Sequence, residues 1–479
     1  MTIEKFLEML SGYLWGKPLI YTVLFVGLFF TVGSGFWQFR YIGYILKNTF
    51  GKMWSKGTSN EGILTPFQAV SIALAGTIGV GNIAGVASAV AVGGPGAVFW
   101  MWVCALVGMM TKMVEVTLAV HYRDKNPDGS TYGGPTYYME KGLGIERGFK
   151  FWKIPAVIFG AGIFTTFFIT LQNYTVAEAV NNTFKIPMVA VSLVYITLTY
   201  LVIFGGIKKI GEVCSYVVPF MALFYVLGGI FIIVSRFPDA IKGLALIFKS
   251  ALSGTAAVGG FAGAAFSKAL QMGVARSIYS NEAGWGTAPM AHSTAKTDHP
   301  VRQGLWGAFE VFMDTIVVCT ITALTIITTG AWTSGASGAS LTLNAFEIGL
   351  GFFGKVVVTV GIFLFGWTTT TGWYAYYEII LRHLMRGREN LQKVILTLYK
   401  YLYPIPGFLM VVFAVTTGLP PAIIWLLADI SSAVPVFVNL IAILILAPRF
   451  FELLRDFNAR EFGEKDGTYT GNVKLFYES

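Results

Sequence analysis

The sequence predicts an all-α membrane protein with 11 transmembrane helices, on three observations. Of its 479 residues, 55% are hydrophobic and only 12% are charged, whereas soluble domains carry roughly 25% charged residues. Ten stretches free of Asp, Glu, Lys and Arg are each long enough for a span of about 20 residues. The longest contains Gly93, Gly94, Pro95 and Gly96, so it divides into two helices. The third observation is that Lys and Arg residues are concentrated in alternate loops.

The loops between these helices predict the orientation of the chain. The predicted helices lie at residues 18–37, 66–92, 97–121, 152–181, 187–207, 211–235, 250–276, 302–330, 350–381, 395–417 and 420–447. Loops on one side carry 25 Lys and Arg residues, and those on the other side carry 6. Because these residues accumulate in short cytoplasmic loops, we expect a multi-pass inner (plasma) membrane protein with its N-terminus outside and its C-terminus in the cytoplasm. The net charge of +9 then faces anionic lipid, not nucleic acid.

Two glycine-rich helices stand at corresponding places along the chain. The stretches SIALAGTIGVGNIAGVASAV (71–90) and ALSGTAAVGGFAGAAFSKAL (251–270) contain four glycines each. If the first helix is set aside, these helices open two successive groups of five, which cross in opposite directions because five is odd. Matched breaks in inverted halves are typical of the midplane substrate site of a secondary transporter. Close helix packing is the alternative, because Gly81 and Gly85 also form a GxxxG pattern.

This repeat divides the chain into four parts. Residues 1–65 hold an N-terminal interfacial segment, the extra helix and a cytoplasmic loop. Residues 66–236 form the first five-helix repeat and residues 250–447 the second. Residues 448–479 are predicted to be a cytoplasmic tail.

Polar residues within the apolar stretches are few, and we expect them to face the protein interior. Asn82 follows the first glycine cluster, Gln172 lies within the helix at 152–181, and four consecutive threonines follow Trp367. Hydroxyl and main-chain carbonyl oxygens are the ligands that hard cations prefer. Lys112 and Glu115 stand three residues apart on one helix, a spacing that predicts a structural ion pair.

Several blocks of the sequence resemble one transporter family along essentially the whole chain. The segment GGPGAVFWMWVCALVG (93–108) is similar to the signature of the alanine or glycine:cation symporters, also called sodium:alanine symporters. The segments QFRYIGYILKNTF (38–50), YGGPTYYMEKGLG (132–144), SNEAGWGTAP (280–289) and HPVRQGLWGAFEVFMDTIVVCTITAL (299–324) resemble the same family. This resemblance implies a LeuT-type fold of two inverted five-helix repeats with one helix added before them. It also implies uptake of alanine or glycine together with sodium.

The resemblance also implies a set of site residues. Substrate contacts are expected on the first broken helix, at Thr77, Gly79, Val80, Gly81 and Asn82. The substrate ammonium is expected at carbonyls of the second, at Gly260, Phe261 and Ala262, with Gln172, Phe266 and Trp367 forming the pocket wall. The shared sodium site of this fold corresponds to the carbonyls of Ala75 and Ile78 with Gly366, Thr369 and Thr370.

Other functions find less support in the sequence. Proton coupling, the main rival, needs a carboxylate at the site, and the two glycine-rich stretches contain none. A membrane-embedded enzyme is a second class, but the chain has no HExxH, GxSxG or phosphate-loop motif. A channel would not require matched breaks in inverted halves. No cofactor is expected, and sodium enters as the coupling ion.

Overall fold

The structure is a computed structural model that describes most of the chain. It covers residues 3–59, 61–126, 128–168, 171–256, 260–418, 421–463, 471 and 473–477, without the side chains of residues 3, 4, 8, 253–256, 260–267, 421, 422, 424, 425 and 428. Within these ranges the regular structure is helical, except for an antiparallel pair of short strands, β1 (Asp124–Lys125) and β2 (Thr131–Tyr132). The all-α prediction is therefore confirmed.

The helices before and within the first predicted repeat follow closely on one another. They are α1 (Ile3–Leu14), α2 (Lys17–Gly33), α3 (Trp37–Arg40), α4 (Ile42–Asn48), α5 (Pro66–Thr77), α6 (Val86–Gly93), α7 (Gly96–His121), α8 (Pro135–Tyr138), α9 (Lys153–Phe168), α10 (Leu171–Phe184), α11 (Met188–Ile203) and α12 (Gly206–Ser235). Two π-helical segments, Gly81–Gly85 and Met139–Glu146, precede α6 and follow α8.

The second half of the chain contains a third π-helical segment, Phe312–Cys319, between two α-helices. Its helices are α13 (Phe237–Ala256), α14 (Gly260–Asn281), α15 (Ala288–His292), α16 (Pro300–Val311), α17 (Thr320–Thr328), α18 (Gly338–Leu350), α19 (Phe352–Leu384), α20 (Glu389–Leu402), α21 (Ile405–Thr417), α22 (Pro421–Ile445) and α23 (Ala447–Phe462).

Many of these helices have the length and composition of membrane spans. Among the described residues, 7 helical segments are long and apolar enough to cross a bilayer, or 9 if each of two bent pairs counts as one span. One bent pair joins α5 to Gly81–Gly93 at 47°, and it coincides with the first predicted broken helix. These helices make the chain a multi-pass membrane protein.

Helix α7 lies at the centre of the bundle. It packs against α14 and α16, and every residue from Gly108 to His121 is buried. A helix that is buried on all sides belongs to the interior of a large protein. The ionisable residues of α7 therefore face protein and not lipid.

Each predicted span contains a helix, but several predicted loops are helical too. Helix α13 occupies the loop predicted at 236–250, and α18 lies in the loop predicted before residue 350. Asp239, Lys242 and Lys249 interrupt the apolar run in α13, so the run alone placed the start of this helix too late. The span predicted at 250–276 covers the end of α13 and most of α14, and residues 257–259, where the second predicted broken helix has part of its glycine cluster, lie outside the described residues.

Candidate substrate and ion site

The first interruption lies between α5 and the π-helical segment Gly81–Gly85. Helix α5 begins with a capping box, in which the Thr65 hydroxyl and the Gln68 side chain each bond the other residue's main-chain N–H. It ends at Thr77, and Ile78 leaves the helical conformation with φ −74° and ψ 87°. The side chain of Asn82 accepts a hydrogen bond from the Gly79 N–H at 2.8 Å. A side chain from the turn after the interruption, that of Asn82, thus bonds the main chain within it.

A second interruption follows α14. Helix α14 ends at Asn281, and α15 begins only at Ala288. Three residues between them have a positive φ: Glu282 (53°), Gly284 (89°) and Gly286 (82°). Glycine tolerates this conformation easily, whereas it is uncommon for a glutamate. The sequence analysis assigned this segment to the loop between the spans at 250–276 and 302–330.

The Gly81–Gly85 segment, which follows the first interruption, contacts the end of α14, just before the second interruption. A Cβ atom added to Gly81 would lie 3.3 Å from a ring carbon of Tyr279 and 3.5 Å from the Cα of Ser280. Helix α19 closes a third side, because a Cβ on Gly79 would lie only 2.6 Å from the Thr369 hydroxyl oxygen. The main chain at these glycines is therefore in direct contact with both neighbouring elements.

A cavity of about 820 Å³, open solvent included, lies where these elements meet. The interruptions, α9, α10, α11, α19, α21 and α22 line it. The lining residues are Gly76, Thr77, Gly79, Val80, Gly81, Thr166, Phe167, Leu171, Gln172, Asn173, Tyr195, Tyr279, Glu282, Trp285, Thr369, Thr370, Trp373, Tyr377, Tyr403, Pro404, Gly407 and Ser431. Helices from both halves of the chain thus converge on one cavity.

Comparison with known proteins identifies the kind of transporter. The family model of the sodium:alanine symporter family matches residues 1–470. The chain belongs to the sodium:alanine symporter family. Membership makes it an amino-acid:cation symporter and not an enzyme.

Relatives in this family differ in the substrate that their names give. The chain is 38% identical to the "Sodium/alanine symporter AgcS" of Methanococcus maripaludis, covering 93% of this chain and 95% of that protein. It is 36% identical to the "Probable sodium/glutamine symporter GlnT" of Bacillus subtilis, covering 98% and 94%. Among solved structures, a manganese transporter mutant of Eremococcus coleocola is similar in fold alone, with a TM-score of 0.50, 13% identity, and coverage of 86% of this chain and 92% of that one.

In this member of the sodium:alanine symporter family, seven of the residues proposed from the sequence line the cavity. They are Thr77, Gly79, Val80, Gly81, Gln172, Thr369 and Thr370. Asn82 is fully buried behind the interruption. Trp367 is half-buried in the hydrophobic core and does not line the cavity. Gly260, Phe261, Ala262 and Phe266 belong to α14, but their side chains lie outside the described part, so their relation to the cavity stays a prediction.

The five proposed ion ligands lie on α5, just after its end, and on α19. Ala75 and Ile78 are buried, and the Thr369 hydroxyl donates to the Phe365 carbonyl at 2.9 Å. The Tyr195 hydroxyl donates to the Gly366 carbonyl at 2.6 Å and lies 2.6 Å from the Thr370 hydroxyl. This neutral set of carbonyl and hydroxyl oxygens suits a hard cation. The Tyr195 hydroxyl already bonds two of these oxygens, those of Gly366 and Thr370.

Sequence reasoning missed several polar and aromatic groups of the cavity. They are Asn173, Tyr195, Tyr279, Glu282, Trp285 and Trp373. Neither amide atom of the buried Asn173, nor the indole N–H groups of Trp285 and Trp373, has a hydrogen-bond partner among the described residues. The sequence did contain a signal for two of these residues, Glu282 and Trp285. Both belong to the segment SNEAGWG, in which glycines lie close to a carboxylate and an indole.

A buried charged cluster adjoins the second interruption. The Lys112 ammonium donates to the main-chain carbonyl of Glu282 at 2.9 Å and lies 3.6 Å from the Glu310 carboxylate. The other oxygen of Glu310 is 3.1 Å from the His292 ring. The predicted pairing of Lys112 with Glu115 is wrong, because the Glu115 carboxylate instead accepts from Asn439 and from the Gly284 N–H. The cluster thus ties α7 and α16 to the interruption.

Proposed function

We propose that this symporter imports a small neutral amino acid, alanine or glycine, together with sodium by alternating access. The observation that carries the proposal is that two main-chain interruptions, from the two halves of the chain, line one cavity. Unpaired main-chain groups at such interruptions bind the charged ends of an amino acid and a cation, as in other transporters with broken helices. The AgcS relative, whose name gives alanine and sodium, supports the same choice.

The substrate carboxylate is assigned to the first interruption. The first N–H groups of a helix have no partner within the helix, and together with the helix dipole they attract anions. The segment that starts at Gly81 continues through Gly93, so its dipole is directed at the cavity. The Asn82 side chain accepts the Gly79 N–H and the Asn82 N–H donates to the Gly79 carbonyl, which leaves the N–H groups of Val80 and Gly81 for the ligand.

The membrane arrangement is part of the proposal. We infer 11 spans, a LeuT-type pair of inverted repeats after the first helix, an external N-terminus and a cytoplasmic C-terminus. The distribution of 25 against 6 Lys and Arg residues over alternate loops supports this orientation.

Proton coupling is the second candidate, and one observation favours it. The sequence analysis found no carboxylate in the glycine-rich stretches, whereas in the structure Glu282 lines the cavity. A buried carboxylate beside a transport pathway can carry a proton. The two couplings differ in which gradient drives uptake.

The test is uptake of labelled amino acids by purified protein in liposomes. A panel of glycine, alanine, serine, glutamine and leucine is offered under a sodium gradient at constant pH, and then under a pH gradient without sodium. The proposal expects sodium-driven accumulation with alanine or glycine preferred. Accumulation under the pH gradient alone establishes proton coupling instead. Counterflow of labelled alanine distinguishes a carrier from a channel.

A further inference from the structure

The carboxylate of Glu282 has an unusual environment for a buried acid. Its residue is only 3% exposed and lines the cavity. Thr287 donates a hydrogen bond to the carboxylate. Among the described residues, no Lys, Arg or His side chain forms an ion pair with it, because the Lys112 ammonium binds the main-chain carbonyl of Glu282 and the carboxylate of Glu310.

An unpaired buried carboxylate is costly, because its charge has lost hydration without gaining a partner. Two other polar groups that line the same cavity have no hydrogen-bond partner within the described ranges. Asn173 is 2% exposed and Trp285 is 3% exposed, and the Asn173 amide and the Trp285 indole N–H have no partner in the described part of the chain. Buried polar groups are normally hydrogen-bonded. Two such groups and a carboxylate without an ion-pair partner among the described residues, all lining one cavity, indicate a ligand that supplies the missing partners, including a cation for Glu282.

We propose that Glu282 binds the α-ammonium group of the transported amino acid. This inference rests on the proposed function and adds to it the residue that selects for an amine. The first interruption offers N–H groups for a carboxylate, and its Gly81 is in contact with Tyr279 and Ser280, just before Glu282. One α-amino acid can therefore place its carboxylate on the first interruption and its ammonium on the second.

Sodium is the less suitable partner for this carboxylate. The oxygens proposed for the ion lie between α5 and α19, where Thr369 faces Gly79. Glu282 belongs to the segment between α14 and α15 and bonds Thr287. The substrate ammonium is the cation that a neutral amino acid brings into the cavity itself.

The test compares two ligands that differ only in the amine. L-Alanine and L-lactate have the same carboxylate and methyl group, but lactate has a hydroxyl where alanine has an ammonium. Dissociation constants of both are measured from ligand-induced thermal stabilisation of purified parent protein and of the Glu282→Gln variant, at fixed sodium and pH. We expect the parent to prefer alanine at least tenfold, which corresponds to about 1.4 kcal/mol, since a hydrogen bond between charged groups is stronger than one between neutral groups. In the variant this preference should fall by about tenfold or more, with lactate binding nearly unchanged.

The matched control uses a carboxylate of the same buried cluster that does not line the cavity. Glu310→Gln should preserve the ratio of alanine to lactate affinity. If this control lowers the ratio as Glu282→Gln does, the effect belongs to the cluster in general and the proposal is overturned. If Glu282→Gln is not recovered in folded form, Glu282→Asp is used, because it keeps the charge but withdraws it by one methylene and should reduce the ratio.

The outcomes separate this inference from the proposed function. Equal weakening of both ligands by Glu282→Gln would assign Glu282 to a sodium or proton site and overturn the inference, while amino-acid transport would stand. If the parent binds another amino acid in place of alanine, the same comparison uses that amino acid and its hydroxy acid. If the parent binds none of the panel, both proposals fail.

Discussion

The Asn82 side chain donates to the Asp314 carboxylate across the first interruption, with its Nδ2 2.6 Å from Oδ1. Its amide oxygen meanwhile accepts the Gly79 N–H, and the Ser280 hydroxyl donates to the same Asp314 oxygen at 3.2 Å. Asn82 and Asp314 are fully buried. The shape of the interruption therefore depends on a donor from one half of the chain and an acceptor from the other.

Exchanging these two residues tests that dependence. Asn82→Asp would place two carboxylates together and should strongly lower the melting temperature in detergent, since an uncompensated buried charge costs about 3–5 kcal/mol. Asp314→Asn should destabilise less, because both residues stay neutral. The double exchange Asn82→Asp with Asp314→Asn restores one donor and one acceptor, so it should recover part of the loss. Thermal unfolding of the four proteins measures the coupling, and a double variant no more stable than Asn82→Asp would contradict it.

The sequence predicted the helices well because the signals for them are local. Apolar runs and the charges that end them position each span, and the glycines with Asn82 mark the first interruption within a single segment. The second interruption was missed because Lys268 and Arg276 end the apolar run before it and Glu282 is charged, as is typical of a loop. Its place in the cavity depends on tertiary contacts, such as that of α14 with Gly81, that no local pattern encodes.

The face of α19 that lines the cavity could not be predicted either. In a soluble helix, an apolar stripe indicates the buried face. In a membrane helix both the lipid side and the core side are apolar, so the pattern does not fix the rotation. Trp367 was consequently proposed for the pocket, whereas Trp373 of the same helix lines it.

Two glycines of the first broken helix should differ in their tolerance of a methyl group. A Cβ on Gly79 would lie 2.6 Å from the Thr369 hydroxyl, whereas the nearest atom to a Cβ on Gly85 is 3.9 Å away. We expect Gly79→Ala to reduce uptake at least tenfold and Gly85→Ala to transport nearly as the parent does. Initial uptake rates, corrected for the amount of inserted protein, measure this. Equal tolerance at both positions would mean that the close approach to α19 is not needed for transport.

The orientation can be tested with single cysteines at exposed positions. Ser337 and Arg388 are both exposed, and the 33-residue helix α19 lies between them, about 50 Å long at 1.5 Å per residue. A membrane-impermeant thiol reagent should label Ser337→Cys from outside and Arg388→Cys only after the membrane is opened. The native Cys104, Cys214 and Cys319 are buried, which keeps the background low. Labelling of both positions from one side would contradict the 11-span arrangement.

Substrate size should depend on Trp373 more than on Trp367. Trp373 lines the cavity, and one methylene in an apolar pocket changes selectivity by about 1–3 kcal/mol. Trp373→Ala should therefore improve leucine relative to alanine by about tenfold or more, while Trp367→Ala, the matched control on the same helix, should keep the parent ranking. Competition by unlabelled amino acids against labelled alanine measures the ranking. If Trp367→Ala changes the ranking and Trp373→Ala does not, Trp367 forms the pocket wall.

Sodium coupling should depend on the hydroxyl groups of Thr369 and Thr370. A cation that enters the protein exchanges its hydration for protein oxygens, so the loss of one ligand weakens its binding. Valine keeps the shape of threonine without the hydroxyl, and we expect Thr369→Val and Thr370→Val each to raise the sodium concentration for half-maximal uptake. The effect should be larger at Thr369, because the Thr370 hydroxyl also bonds Tyr195.

Tyr195→Phe is the control for this experiment, since it removes the hydroxyl that bonds Gly366 and Thr370 and leaves both threonines in place. Alanine affinity is measured against sodium at constant ionic strength and pH. Because linkage is reciprocal, sodium must tighten alanine binding by the factor by which alanine tightens sodium binding. The valine variants should need more sodium to reach the same alanine affinity, whereas Tyr195→Phe should need less if the phenol competes with the ion for the Gly366 carbonyl. A sodium dependence unchanged in both valine variants would move the ion elsewhere. Alanine binding that follows pH and ignores sodium would replace sodium coupling with proton coupling.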